Sequence, residues 1–133
     1  MKRKTTKIAD ACPCGSGLAY AVCCGQYHGG AVVPSAEALM RSRYSAFALG
    51  NEAYLRQSWA AESLPAEPLL DAGVKWLALS ILSTEAGGEQ DETGVVTFVA
   101  RYKINGRAGR MQERSRFVRE QGLWRYLDGE VSD

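Results

Sequence analysis

The chain has 133 residues, a formal net charge of +1, and is 46% hydrophobic and 23% charged. That balance suits one domain burying roughly two-thirds of its unfolded surface, and excludes a disordered, collagenous or membrane-spanning chain. The longest dense apolar stretch, Val74 to Leu82, is far short of the about 20 residues that cross a bilayer. The basic run at Met1 to Lys7 has no apolar core after it, so it does not read as a secretory signal. The expectation is a cytoplasmic protein with no membrane insertion.

In chain order, residues 1–10 read as a flexible basic tail. Residues 11–34 are rich in glycine and poor in large apolar side chains, so the rest of the chain must hold them. Residues 35–133 carry the pattern of an α+β domain. Pro34, Ser35 and Glu37 open a helix whose apolar stripe includes Leu39, Met40 and Phe47, with Arg43 and Tyr44 between, and Gly50 closes it. A second helix is predicted from Asn51 to about Ala60, turning Tyr54, Leu55, Ser58 and Trp59 inward, and Pro65 and Pro68 end the helical region. The period then changes. Strands are predicted at Val74–Ser83, Val95–Ile104, Met111–Arg119 and Leu123–Leu127, joined at Gly87-Gly88, Asn105-Gly106 and Gln121-Gly122. Helices followed by a four-stranded antiparallel meander predict a curved sheet wrapped around the helices. Trp59, Trp76 and Trp124 are expected in its core.

All four cysteines, Cys12, Cys14, Cys23 and Cys24, lie within one short segment. Four soft thiolates on glycine-rich turns match the tetrahedral preference of Zn²⁺, and Ser16 is placed to donate to a sulfur. A disulfide between adjacent Cys23 and Cys24 would be strained and disfavoured in a reducing compartment. The spacing also differs from common ferredoxin runs and from a Cys-x-x-Cys redox pair. The closed set implies a structural zinc. His28, the only histidine, is the alternative fourth ligand, a neighbour supporting the site, or an ordinary surface residue.

Strand alternation puts Glu113 on the same inward face as Met111, Ser115 and Phe117. A carboxylate inside a curved sheet is either a candidate general base or half of an ion pair with Arg41 or Arg43, and the pair is the favoured reading. No nucleophilic triad can be assembled. Charge is segregated along the chain: Glu52 to Glu92 is acidic, while Arg101 to Arg125 is basic. Arg110, Arg114 and Arg116 share a strand face with Gln112, opposite Glu113. That face and the basic tail are candidate contacts for an acidic protein or for RNA.

The run Cys12-Pro13-Cys14-Gly15-Ser16-Gly17, then Tyr20, then Cys23-Cys24-Gly25, resembles the SEC-C zinc motif named for the tail of the SecA translocation motor. By that resemblance Cys12, Cys14, Cys23 and Cys24 hold the metal. The SecA form commonly ends in His, which keeps His28 in play. More widely, Leu39-Met40-Arg41-Ser42-Arg43-Tyr44-Ser45-Ala46-Phe47, Tyr54-Leu55, Glu113-Arg114-Ser115-Arg116-Phe117 and Trp124-Arg125-Tyr126-Leu127-Asp128-Gly129 are similar to the bacterial YchJ-like family. The resemblance implies a SEC-C knuckle joined to a nuclear-transport-factor-2-like (NTF2-like), cystatin-like cone, and supplies no reaction. SEC-C knuckles elsewhere contact partner proteins, including at the translocation machinery and the ribosome. The expected role is therefore a non-enzymatic protein-interaction module. The alternatives are a small-molecule-binding protein or enzyme using Glu113 in the cone, and RNA or ribosome binding.

Overall fold

A computed structural model describes residues 11–132, so the predicted basic tail lies outside the described residues. Three helices, α1 (Cys24–His28), α2 (Ala36–Leu49) and α3 (Glu52–Gln57), precede four strands, β1 (Val74–Ala86), β2 (Thr93–Ile104), β3 (Arg107–Glu120) and β4 (Leu123–Ser132). Helix α2 starts where the Ser35 hydroxyl accepts the Ala38 amide at 3.1 Å, with Glu37 at the positive end of its dipole. It stops at Gly50, whose φ of 76° admits the left-handed cap. Asn51 caps α3 through the Tyr54 amide at 3.1 Å.

Helix α3 ends at Gln57, short of the predicted Ala60. The sheet edge competes for the backbone there. The Tyr126 amide donates to Ser58 O at 2.8 Å and the Ala60 amide to Tyr126 O at 2.7 Å, a parallel bridge that holds Trp59 beside β4. Ser58 leaves the helix with its hydroxyl donated to Tyr54 O at 2.7 Å. No helix among the described residues is long and apolar enough to cross a membrane.

The strands form one antiparallel meander in the order β1-β2-β3-β4, as expected. They run further than the alternation suggested, because the turns begin pairing at once. Ile104 pairs with Arg107 across Asn105 (φ 52°) and Gly106 (φ 79°), and Glu120 with Leu123 across Gln121 (φ 52°) and Gly122 (φ 82°). The first strand, predicted at Val74–Ser83, is irregular. Bulges in β1 fall between Trp76 and Ala78 and between Ile81 and Ser83, so Leu77 and Leu82 are the extra residues and both are exposed. Each bulge resets which residues face inward and adds curl.

Helix α2 lies in the concave face. Leu39, Met40 and Tyr44 pack with Val96, Phe98, Ala100, Phe117 and Trp124, and the same core cluster contains Cys12, Cys14 and Cys24. Trp124 is core as expected, while Trp59 and Trp76 are only partly buried. At one end α2 sits tight on the β1–β2 connection. The Ala36 amide donates to Gly87 O at 2.9 Å, and a Cβ on Gly94 would lie 2.5 Å from Gly87 Cα and 3.1 Å from Ala36 Cβ. Gly94→Ala is therefore expected to lower stability by about 1–3 kcal/mol through overpacking, read as a fall in denaturant midpoint at unchanged slope.

Candidate metal centre and interior cavity

The segment before α1 is folded by a turn at Cys12–Gly15 and a short 3₁₀ turn at Tyr20–Val22, tied by the Cys12 amide donating to Leu18 O at 3.0 Å. This brings the Sγ atoms of Cys12, Cys14, Cys23 and Cys24 within 4.8 Å of one another. Around a Zn²⁺ with Zn–S near 2.3 Å, tetrahedral sulfurs stand about 3.8 Å apart. Cys14 and Cys23 are at 3.7 Å. The donor set fits a soft divalent ion, and the clustered thiols suggest metal binding.

Other groups support the sulfurs. The Ser16 hydroxyl lies 3.1 Å from Cys23 Sγ, and Ser45 Oγ from α2 lies 3.5 Å from Cys12 Sγ. Arg41 Nη1 donates to Cys14 O at 3.1 Å and points at Cys14 Sγ at 3.9 Å. Four thiols this close cannot ionise together without a cation. The Cys14 thiol is pulled below its usual range by its neighbour Cys24, while Cys24 is pushed well above its usual range by Cys14 and by burial. A bound cation is what would let the proton leave.

His28 stands apart from the sulfurs. Its Nε2 lies 2.8 Å from Ser42 O and its Nδ1 2.5 Å from the Tyr20 hydroxyl. The carbonyl can only accept, so Nε2 carries the proton and Tyr20 donates to Nδ1. With both nitrogens engaged, the histidine links α1 to α2 and is not part of the sulfur cluster.

The second site is a cavity of about 220 Å³ between α2 and the sheet. Glu113 lines it, as strand alternation predicted. The expected ion pair is not formed. Arg41 pairs with Glu37 at 3.1 Å on the knuckle side of α2. Arg43 Nη1 donates to Leu55 O at 2.8 Å and Ser58 Oγ at 2.7 Å, and its guanidinium rests 4.5 Å from the Tyr126 ring centre and 5.0 Å from that of Trp59. Carbonyl, hydroxyl and ring faces take the place of the carboxylate. Glu113 Oε2 instead accepts from Ser115 Oγ at 2.8 Å and from the Tyr126 hydroxyl at 3.0 Å. A side chain on Gly129 would collide with this carboxylate, so the glycine makes room for it.

The basic strand face is partly neutralised. Arg116 holds Asp128 through two bonds of 2.7 and 2.6 Å, and Arg114 lies 3.5 Å from Glu85. Arg119 clamps the β1–β2 loop through the carbonyls of Asp91, Gly88 and Glu89. Sequence reasoning did not assign Ser45 and Arg41 to the sulfurs, nor Ser115 and Tyr126 to Glu113. The available signal was the polar run Arg41-Ser42-Arg43 and Ser45 inside an apolar stripe.

Burial raises Tyr44 to about 12 and lifts Tyr54 and Tyr126, and it lowers Arg43 to about 10. Phenols raised above their ordinary 10.0 add stability that is complete below pH 10 and lost as pH climbs through the folded values. Arg43, depressed from 12.5, has the opposite sign over the same range, and three phenols outweigh it. The denaturant midpoint should fall between about pH 9 and about pH 11. Phenolate absorbance of the folded protein at about pH 11 should fall short of the six tyrosines the chain contains.

The description "YchJ, middle NTF2-like domain" matches residues 35–129, and the SEC-C motif matches residues 9–26. A UPF0225 protein from Cupriavidus pinatubonensis is 51% identical over 128 residues, covering 90% of this chain and 87% of that protein. One from Chromobacterium violaceum is 53% identical over 137 aligned residues, covering 99% of this chain and 100% of that protein. The solution structure of a SEC-C motif containing protein from Rhodopseudomonas palustris matches with a TM-score of 0.78 and 32% identity, over 92% of this chain and 98% of that one. A crystal structure of a SEC-C motif containing protein from Psychrobacter arcticus matches at 0.69 and 28%, over 92% and 82%. With these matches spanning both the sulfur cluster and the sheet, the chain belongs to the YchJ-like UPF0225 family, which joins a SEC-C motif to an NTF2-like domain.

Proposed function

We propose that this protein is a non-enzymatic binding module whose N-terminal segment takes its shape from one structural Zn²⁺ on Cys12, Cys14, Cys23 and Cys24. The observation that carries the reading is the convergence of four sulfurs, three of them buried, into one donor set. Four protein ligands leave no open position for water or substrate, which is the signature of a structural ion. The reading takes the cytoplasm as the compartment, where the thiols stay reduced.

The knuckle carries apolar side chains on its outside. Leu18, Val22 and Val32 are 53%, 63% and 69% exposed, and they support a contact surface for a protein partner. A second reading, RNA or ribosome contact, rests on Arg101, Lys103, Arg107 and Arg110, all exposed around the Asn105-Gly106 turn.

Reduced, freshly purified protein should contain about one zinc per chain, and Cys14→Ser should lose most of it together with thermal stability. Elemental analysis finding no stoichiometric metal, or iron, would overturn the assignment. For the interaction surface, Leu18→Asp with Val22→Asp should keep zinc and fold but lose the proteins recovered by affinity capture. Recovery of the same set with both forms would sink the protein-contact reading. Binding that instead falls steeply with salt and disappears with Arg107→Ala and Arg110→Ala would favour RNA.

A further inference from the structure

The cavity under α2 is lined by aromatic rings and by two charged side chains. An apolar cavity of about 150 Å³ accepts benzene, so one of about 220 Å³ has room for a molecule of roughly ten non-hydrogen atoms. Its walls are rings. Trp76 meets Tyr44 and Phe47, and Trp59 meets Tyr126, in edge or tilted contacts that leave ring surface to the interior.

Two charged groups of opposite sign line this apolar space, Glu113 and Arg43. Arg43 is 3% exposed and, among the described residues, has no carboxylate at ion-pair distance. Tyr126 stands between the two, its ring face toward the guanidinium and its hydroxyl on Glu113 Oε2. Both hydroxyl donors, from Ser115 and Tyr126, go to Oε2. Among the described residues Oε1 receives no hydrogen bond, so a fixed carboxylate keeps one strong acceptor open. The opposite charges balance, so an ionic ligand would leave one charge in excess, whereas a neutral one would not. A Cβ at Gly129 would meet the far end of Glu113, so the glycine leaves the carboxylate its place beside Tyr126.

We propose that this cavity binds a neutral aromatic molecule of about ten non-hydrogen atoms that donates one N–H or O–H to Glu113 Oε1. The rings supply the apolar contact and the carboxylate selects for the donor. The assignment does not depend on the partner reading of the knuckle.

Indole and benzofuran make the test, because they share size and shape and differ in the N–H donor. Each is titrated into the zinc-loaded full chain while the methyl signals of Met40 and Met111 and the indole signals of Trp59 and Trp76 are followed by NMR. Indole is expected to saturate these signals and to bind about tenfold more tightly than benzofuran. Glu113→Gln should bring the two affinities within about threefold of each other. Ala100→Leu, which adds bulk to the cavity wall, should weaken both probes. Met111→Phe does the same from β3 and serves if Ala100→Leu fails to fold. No saturation by either probe, equal binding of both to the unsubstituted protein, or shifts confined to residues outside the cavity would overturn the assignment.

Discussion

Helix α2 has almost no solvent side between Leu39 and Ala46, and the architecture follows from that constraint. One face meets the sheet and another meets the cysteine segment, so polar residues on the helix had to be buried with partners. Ser42 donates to Leu39 O at 2.8 Å and stands 2.7 Å from the Tyr54 hydroxyl, Ser45 meets Cys12, and Arg43 is taken up by a carbonyl, a hydroxyl and two rings. Each group would be costly without its partner, by about 1–3 kcal/mol for the neutral ones. Together these contacts fix the rotation of α2 about its own axis, a degree of freedom that apolar packing alone would leave looser.

The cysteine segment is correspondingly not an appendage. Cys12, Cys14 and Cys24 sit in the same cluster as Leu39, Phe98 and Trp124. A glycine-rich segment with few large side chains acquires a core by borrowing that of the sheet. Arg41 and Ser45 reach back from α2 to the sulfurs, and His28 adds a third link through Ser42 O. Helix α2 is thus a wall of both the sulfur site and the ring-lined cavity.

Much of this was legible in the sequence, for identifiable reasons. Turn chemistry at Asn105-Gly106 and Gln121-Gly122 is local, so it located two hairpins. The cysteine cluster is a compositional signal that needs no tertiary knowledge. The inward direction of Glu113 follows from strand period alone. What failed depended on distant pairing. Ser58 to Ala60 reads as helix until Tyr126 offers its backbone, and the partner of a buried arginine cannot be chosen from charge when carbonyls and rings compete for it. Trp59 and Trp76 read as core because their size suggests it, yet they border a space that the core does not fill.

The two kinks in β1 have a consequence beyond curvature. Among the described residues no strand lies on the outer side of β1, which makes it one of the two margins where another chain could add itself to the sheet. Leu77 and Leu82 would be attractive anchors on a flat margin. Placed on the kinks, they interrupt the backbone ladder where they stand, leaving only short stretches for a newcomer to copy. The irregularity that blurs the alternation of this strand thereby makes it a poor template for edge-to-edge strand addition.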